Sequence, residues 1–114
     1  MKTLYIANAF SLSMLAADVA MVSIETVSKP DVYFDFDQFD TIVSCVGHED
    51  TAKLLSRLLG RDVPMARINV QLKHHDSMLV GQLVGGRLPE GSTSLPEGVT
   101  IVWKLVKVTY SLDD

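Results

Sequence analysis

The sequence predicts an α/β fold: a mixed central β-sheet of about five strands with flanking helices, in a single domain spanning residues 1–114. Three observations carry this reading. Short apolar runs bounded by turn residues recur from residues 2–7 to residues 99–110, the signature of strands. Between them, residues 50–59 carry leucines at helical spacing and stop at a glycine, the signature of an amphipathic helix. Finally, 114 residues are enough for one modest core and too few for two.

The elements follow in order. Residues 2–7 (KTLYIA) form a first strand, with Leu4 and Ile6 on one face and Tyr5 on the other. Asn8 breaks it, and Ser11 stands where the cap of a short helix belongs, before Leu12, Met14 and Leu15. The opening stretch imitates a secretory signal, but Asn8, Ser11 and Ser13 interrupt its apolar run and Lys2 alone supplies positive charge, so it reads as part of the folded domain. Residues 19–28 form a second strand closed by Lys29-Pro30. The segment DVYFDFDQFD alternates aromatic and acidic residues and reads as a half-exposed edge or loop.

Residues 41–46 (TIVSCV) are continuously apolar, as in a strand covered on both faces. Gly47-His48 makes a turn into the helix. Glu49 and Asp50 favour the positive end of its dipole, Ala52, Leu54, Leu55, Leu58 and Leu59 make its apolar stripe, and Gly60 ends it. Residues 66–73 and 77–84 read as two strands of a hairpin around His74-His75-Asp76. A glycine- and proline-rich loop follows, in which LPEG occurs twice, and residues 99–110 close the chain as a long strand.

Composition narrows the function. A formal net charge of −4 argues against non-specific binding of long nucleic acid, which needs a broad basic surface. It leaves room for a small anion held by a few local donors. Cys45 is the single cysteine, so no intrachain disulfide forms and a reducing, cytoplasmic setting is the natural expectation. Its place inside an apolar run suits a small buried hydrophobe better than a nucleophile.

Two places carry candidate chemistry. Gly47 lets a ligand approach the backbone at a strand end, beside a helix N-terminus whose N–H groups suit an anion, and His48 can exchange a proton near neutral pH. From spacing alone, a helix-capping role for His48 is the commoner outcome. Arg87, behind Gly85 and Gly86, can reach a phosphate with its forked donors, and Glu90 could orient an imidazole, although an isolated RxxE is more often a solvated ion pair. Glu97 in the second LPEG reads as a turn residue. His74 and His75, as neighbours on a strand, would point to opposite faces. No HxH, CxxC or carboxylate cluster completes a metal site, so no metal and no cofactor are expected.

Three stretches taken together, LYIANAFSLSML, VGHEDTAKLLSRLLG and RLPEG, resemble a small family of archaeal-virus and bacterial proteins identified with the viral anti-CRISPR ring nucleases of type III immunity and their host-encoded relatives. The resemblance implies a homodimer that binds cyclic tetra-adenylate across its subunit interface and cuts the ring without metal. It assigns catalysis to His48, Arg87 and Glu90, with Pro89 inside the RxxE spacing, and ligand contacts to Asn8 and Ser11, with Ser13 in the same segment. A non-catalytic dimer that sequesters the ring, or binds another ligand or DNA, is the competing class. The helix, with Lys53 and Arg57 among leucines, offers little as a DNA-recognition element.

Overall fold

In the computed structural model, which describes residues 2–110, every strand joins one sheet. Met1 and residues 111–114, included in the expected domain, lie outside the described residues. The strands are β1 (Thr3–Ala7), β2 (Ala20–Thr26), β3 (Thr41–Ser44), β4 (Ser77–Val84) and β5 (Thr100–Tyr110), in the spatial order β2-β5-β4-β1-β3. β1 pairs in parallel with both β3 and β4, whereas β5 runs antiparallel to β4 and β2. The sheet is therefore mixed, with a parallel half that carries the β3-to-helix junction.

Alternation along the strands splits the core in two. On one face Leu4, Ile6, Leu79, Trp103 and Leu105 pack against Ala52, Leu55 and Leu59 of the helix α2 (Glu49–Leu59). On the other, Ala7, Met78, Val80, Val106 and Val108 pack against Val70 and Leu72, with Phe10, Met14 and Leu15 half-buried beside them. Leu54, Leu55 and Leu79 are wholly buried; burial of such a side chain is worth about 1.5–3 kcal/mol. Gly60 ends α2 in a left-handed conformation, φ 68°, and its N–H donates to the Ser56 carbonyl at 2.9 Å.

Several expectations need correction. Residues 66–73 are not a strand and form no hairpin with β4. Their side chains pack on the sheet face, while the backbone is bridged at Leu72 to Leu15, just after the 3-10 turn, and anchored by Ala66 N–H on the Val46 carbonyl (2.8 Å). His74 and His75 consequently sit in a turn rather than on a strand, and their rings lie against each other, 3.7 Å between centroids, instead of facing opposite ways. β3 is an edge strand, and Ile42 and Val43 are only half-buried, so the run 41–46 is not covered on both faces. The acidic-aromatic segment is a short helix α1 (Pro30–Tyr33) followed by a 3-10 turn (Phe36–Gln38); Phe34, Phe36 and Phe39 pack on the core while Asp31, Asp35, Asp37 and Asp40 face solvent. The cap expected at Ser11 is present: its hydroxyl accepts from Ser13 N–H at 3.3 Å and starts a 3-10 turn, Leu12–Met14.

Candidate functional site

A cleft of about 750 Å³ opens at the carboxyl ends of β1 and β4 and at the β3–α2 junction. Such crevices are the usual place for ligands in sheets with parallel strands. Each wall has a local cause. β1 ends at Ala7 and delivers Asn8; the turn after β3 delivers His48 as the first residue of the α2 cap, with Glu49, Asp50 and Thr51 behind it. β4 delivers Gln82 and Leu83, and the loop after it delivers Gly86, Arg87, Leu88 and Glu90.

His48 occupies the N-cap position, and its carbonyl accepts the Ala52 N–H at 2.9 Å. Its imidazole makes no capping hydrogen bond and is exposed in the cleft. The capping alternative therefore uses only backbone that any residue would supply, and leaves the ring itself unaccounted for. Arg67 donates its Nε hydrogen to the Gly47 carbonyl at 3.0 Å and fixes the turn that presents His48.

Arg87 and Glu90 share this cleft, both exposed, on a loop whose base is closed by a contact between glycines. Gly85 has φ 98°, and a Cβ placed on it would lie 2.4 Å from the Gly98 carbonyl oxygen. Only glycine tolerates both conditions. Each LPEG then makes the same turn. Ser92 N–H donates to Pro89 at 3.0 Å with Gly91 at φ 81°, and Val99 N–H donates to Pro96 at 3.1 Å with Gly98 at φ 81°. A glycine of positive φ in the third position is the type II arrangement.

Asn8, His48, Arg87 and Glu90, up to 82 positions apart in sequence, are thus brought to one surface. Ser11, Ser13 and Gly47 are not among its lining residues. Ser11 and Ser13 are exposed, with their hydroxyls 3.0 Å apart. Among the described residues no hydrogen bond or ion pair joins Glu90 to His48, and no ion pair engages Arg87. The other two acids of the cleft have donors: Glu49 pairs with Lys53 at 3.4 Å and Asp50 accepts the Gly91 N–H at 2.7 Å. Among the described residues Arg87 is the only lysine or arginine lining the cleft.

Sequence reasoning placed Asp50 and Thr51 only as acidic and capping residues of the helix start and gave no role to Gln82 or Leu88. Their signal is spatial, since they are joined to the site by a loop that returns across it. Cys45 is not part of the cleft; its thiol donates to the Ile6 carbonyl at 3.3 Å, and burial pushes its pKa up to about 11, which disarms it as a nucleophile. Among the described residues no group of three His, Cys, Asp or Glu side chains is placed to hold a metal ion, and no helix is long and apolar enough to cross a membrane.

Known proteins match this chain over nearly its whole length. The chain is 29% identical over 110 residues to ORF116 of Acidianus filamentous virus 1, covering 94% of this chain and 92% of that protein. It is 27% identical over 111 residues to protein 26 of Sulfolobus islandicus filamentous virus, covering 96% and 86%. Among solved structures, B116 of Sulfolobus turreted icosahedral virus superposes with a TM-score of 0.71 at 20% identity, covering 95% of this chain and 99% of that one, a likeness of fold. The STIV B116-like family matches from residue 4 to residue 102, through every wall of the cleft, and the chain belongs to that family.

Proposed function

We propose that this protein is a metal-independent ring nuclease: a homodimer that binds cyclic tetra-adenylate and cuts it to linear oligoadenylates with 2′,3′-cyclic phosphate ends, switching off type III CRISPR signalling in the cytoplasm. The observation that carries the reading is the meeting of Asn8, His48, Arg87 and Glu90 in one cleft, with the His48 imidazole unused by the helix cap.

An RNA linkage brings its own nucleophile, so the protein must align it, stabilise charge and supply a proton. The ribose 2′-oxygen attacks phosphorus and loses its proton to solvent, while the bond from phosphorus to the 5′-oxygen breaks. His48 protonates that departing oxygen, a role worth about 10²–10⁴-fold. Arg87 faces the phosphorane, whose charge exceeds that of the ground-state diester. Glu90, in the same cleft, serves to orient the imidazole, and catalytic contacts are often loose before substrate arrives. Asn8 offers an amide to a base or ribose. A two-fold dimer presents the same cleft twice to a ring of matching symmetry, and Ser11 and Ser13, which follow Asn8 without lining the cleft, would add their contacts from the same segment.

The separation of Glu90 from His48 favours one second reading, a dimer that sequesters the ring without cutting it. Incubation with cyclic tri-, tetra- and hexa-adenylate, with products identified by mass, tests both. The expected result is the tetra-adenylate converted to linear products; stoichiometric binding with the ring intact would establish sequestration instead.

A further inference from the structure

We propose that Asp50 is a positioning residue of this site, pinning the peptide between Glu90 and Gly91 and thereby fixing Glu90 relative to His48. The proposal rests on the ring-cleavage reading for its chemical consequence, although the tether itself does not.

Three observations support it. Asp50 Oδ2 accepts the Gly91 N–H at 2.7 Å, at the short end for such bonds, as expected when the acceptor is charged. The bonded amide belongs to the residue after Glu90, while Asp50 is two residues after His48 on the first turn of α2. One hydrogen bond therefore links the element carrying the proposed acid to the turn carrying its partner. Arg87, Pro89, Glu90 and Gly91 are all exposed and Leu88 is only half-buried, so little packing competes with this bond in placing the loop.

The second LPEG provides an internal comparison. It has the same four residues and the same turn, but among the described residues no carboxylate receives the Gly98 N–H, and Glu97 does not line the cleft. Turn sequence is thus insufficient to deliver a glutamate to the site. The tether distinguishes the copy that reaches it.

The test compares wild type, Asp50→Ala and Asp50→Asn, because asparagine keeps an acceptor oxygen and removes the charge. Amide exchange at Gly91 should quicken about 10- to 100-fold in Asp50→Ala, the range expected for losing a hydrogen bond to a charged group, with core strand amides unchanged. Asp50→Asn should fall between the two, because it keeps an acceptor and loses the charge that strengthens the bond. Single-turnover cleavage of cyclic tetra-adenylate should fall about 10- to 100-fold in Asp50→Ala, as for a misplaced catalytic group, with a smaller change in ring binding and partial recovery in Asp50→Asn. Unchanged Gly91 exchange in Asp50→Ala overturns the tether. Asparagine as damaging as alanine overturns positioning, because it assigns the effect to charge. A wild-type protein that leaves the ring intact overturns the cleavage reading, and the exchange arm then decides the tether alone.

Discussion

Gly85 and Gly98 meet backbone to backbone at the base of the loop that carries Arg87 and Glu90: a Cβ on Gly85 would stand 2.4 Å from the Gly98 carbonyl oxygen. The loop is therefore pinched shut where it leaves the sheet, and its reach into the cleft depends on that pinch. Gly85→Ala must strain the backbone at φ 98° and displace the carbonyl. The backbone part alone costs about 1–2 kcal/mol. We expect thermal unfolding at lower temperature and faster amide exchange through residues 86–97. Gly91→Ala has no neighbour within 4 Å to strike and should show the backbone cost only.

His48→Ala separates binding from chemistry. On the proposed mechanism the imidazole acts on charge that develops at the leaving oxygen, so single-turnover cleavage should drop by about 10²–10⁴-fold while equilibrium binding of the ring changes little. Cleavage at the wild-type rate would reduce His48 to a residue that begins a helix.

Arg87→Ala should weaken both binding and cleavage, because the proposed phosphate contact would be made in ground and transition states alike. Arg87→Lys should restore part of the binding and less of the rate, since an ammonium lacks the paired donors of a guanidinium. The same assays in excess EDTA should give unchanged rates. Loss of activity reversed by magnesium or manganese would contradict the mechanism.

Cys45 gives a pH-dependence with a definite sign. Burial raises its thiol from an ordinary 9.0 to about 11, so the folded state holds the proton more tightly than the unfolded chain does. The resulting stabilisation is complete below pH 9 and declines as pH rises towards about 11. Burial, with the Asp76 and Cys45 charges behind it, also raises Tyr5 and adds in the same direction. Denaturant titrations of wild type and Cys45→Ala should therefore diverge on the alkaline side only. Alkylation of Cys45 at pH 8 should be slow until the protein unfolds.

The sequence reads most faithfully where side-chain pattern and hydrogen bonding coincide. In α2 the apolar stripe, the acidic first turn and the Gly60 stop all describe the same eleven residues. They diverge in residues 66–73. Val70 and Leu72 are buried and their neighbours Asn69 and Gln71 exposed, so the period of two is real, but it records side chains laid on the sheet face rather than a strand within it. Periodicity reports what is covered, and a backbone ladder is only one way to cover it. Aromatic residues in the 31–40 segment mislead in a related way: a hydrophobic cluster of Phe34, Phe36 and Phe39, with Phe34 and Phe36 edge-to-face at 4.9 Å, needs turns rather than an extended edge. For the site, each local feature of His48 and RxxE is weak by itself. Only their meeting across the sheet is informative, and spacing along the chain carries no record of it; the Asp50–Gly91 bond, spanning the two stretches, was beyond reach for the same reason.

The position of β1 between β3 and β4 has a consequence for how the chain reaches its native state. Its registers, Thr3 with Thr41 and Leu4 with Ser77, join it to partners made 38 and 73 residues later. During synthesis the β1–β4 seam cannot zip until β4 has emerged, 73 residues after its partner, whereas β4 and β5 are neighbours that can associate soon after they appear. Distant parallel pairing closes large loops before it gains contacts, which places such seams among the slower steps of folding. Until it closes, Leu4, Ile6 and Leu79, all buried in the finished core, lack their mutual cover. The expected rate-limiting event is therefore insertion of the amino-terminal strand, and substitutions at Leu4 or Ile6 should slow refolding more than equally destabilising ones in β2.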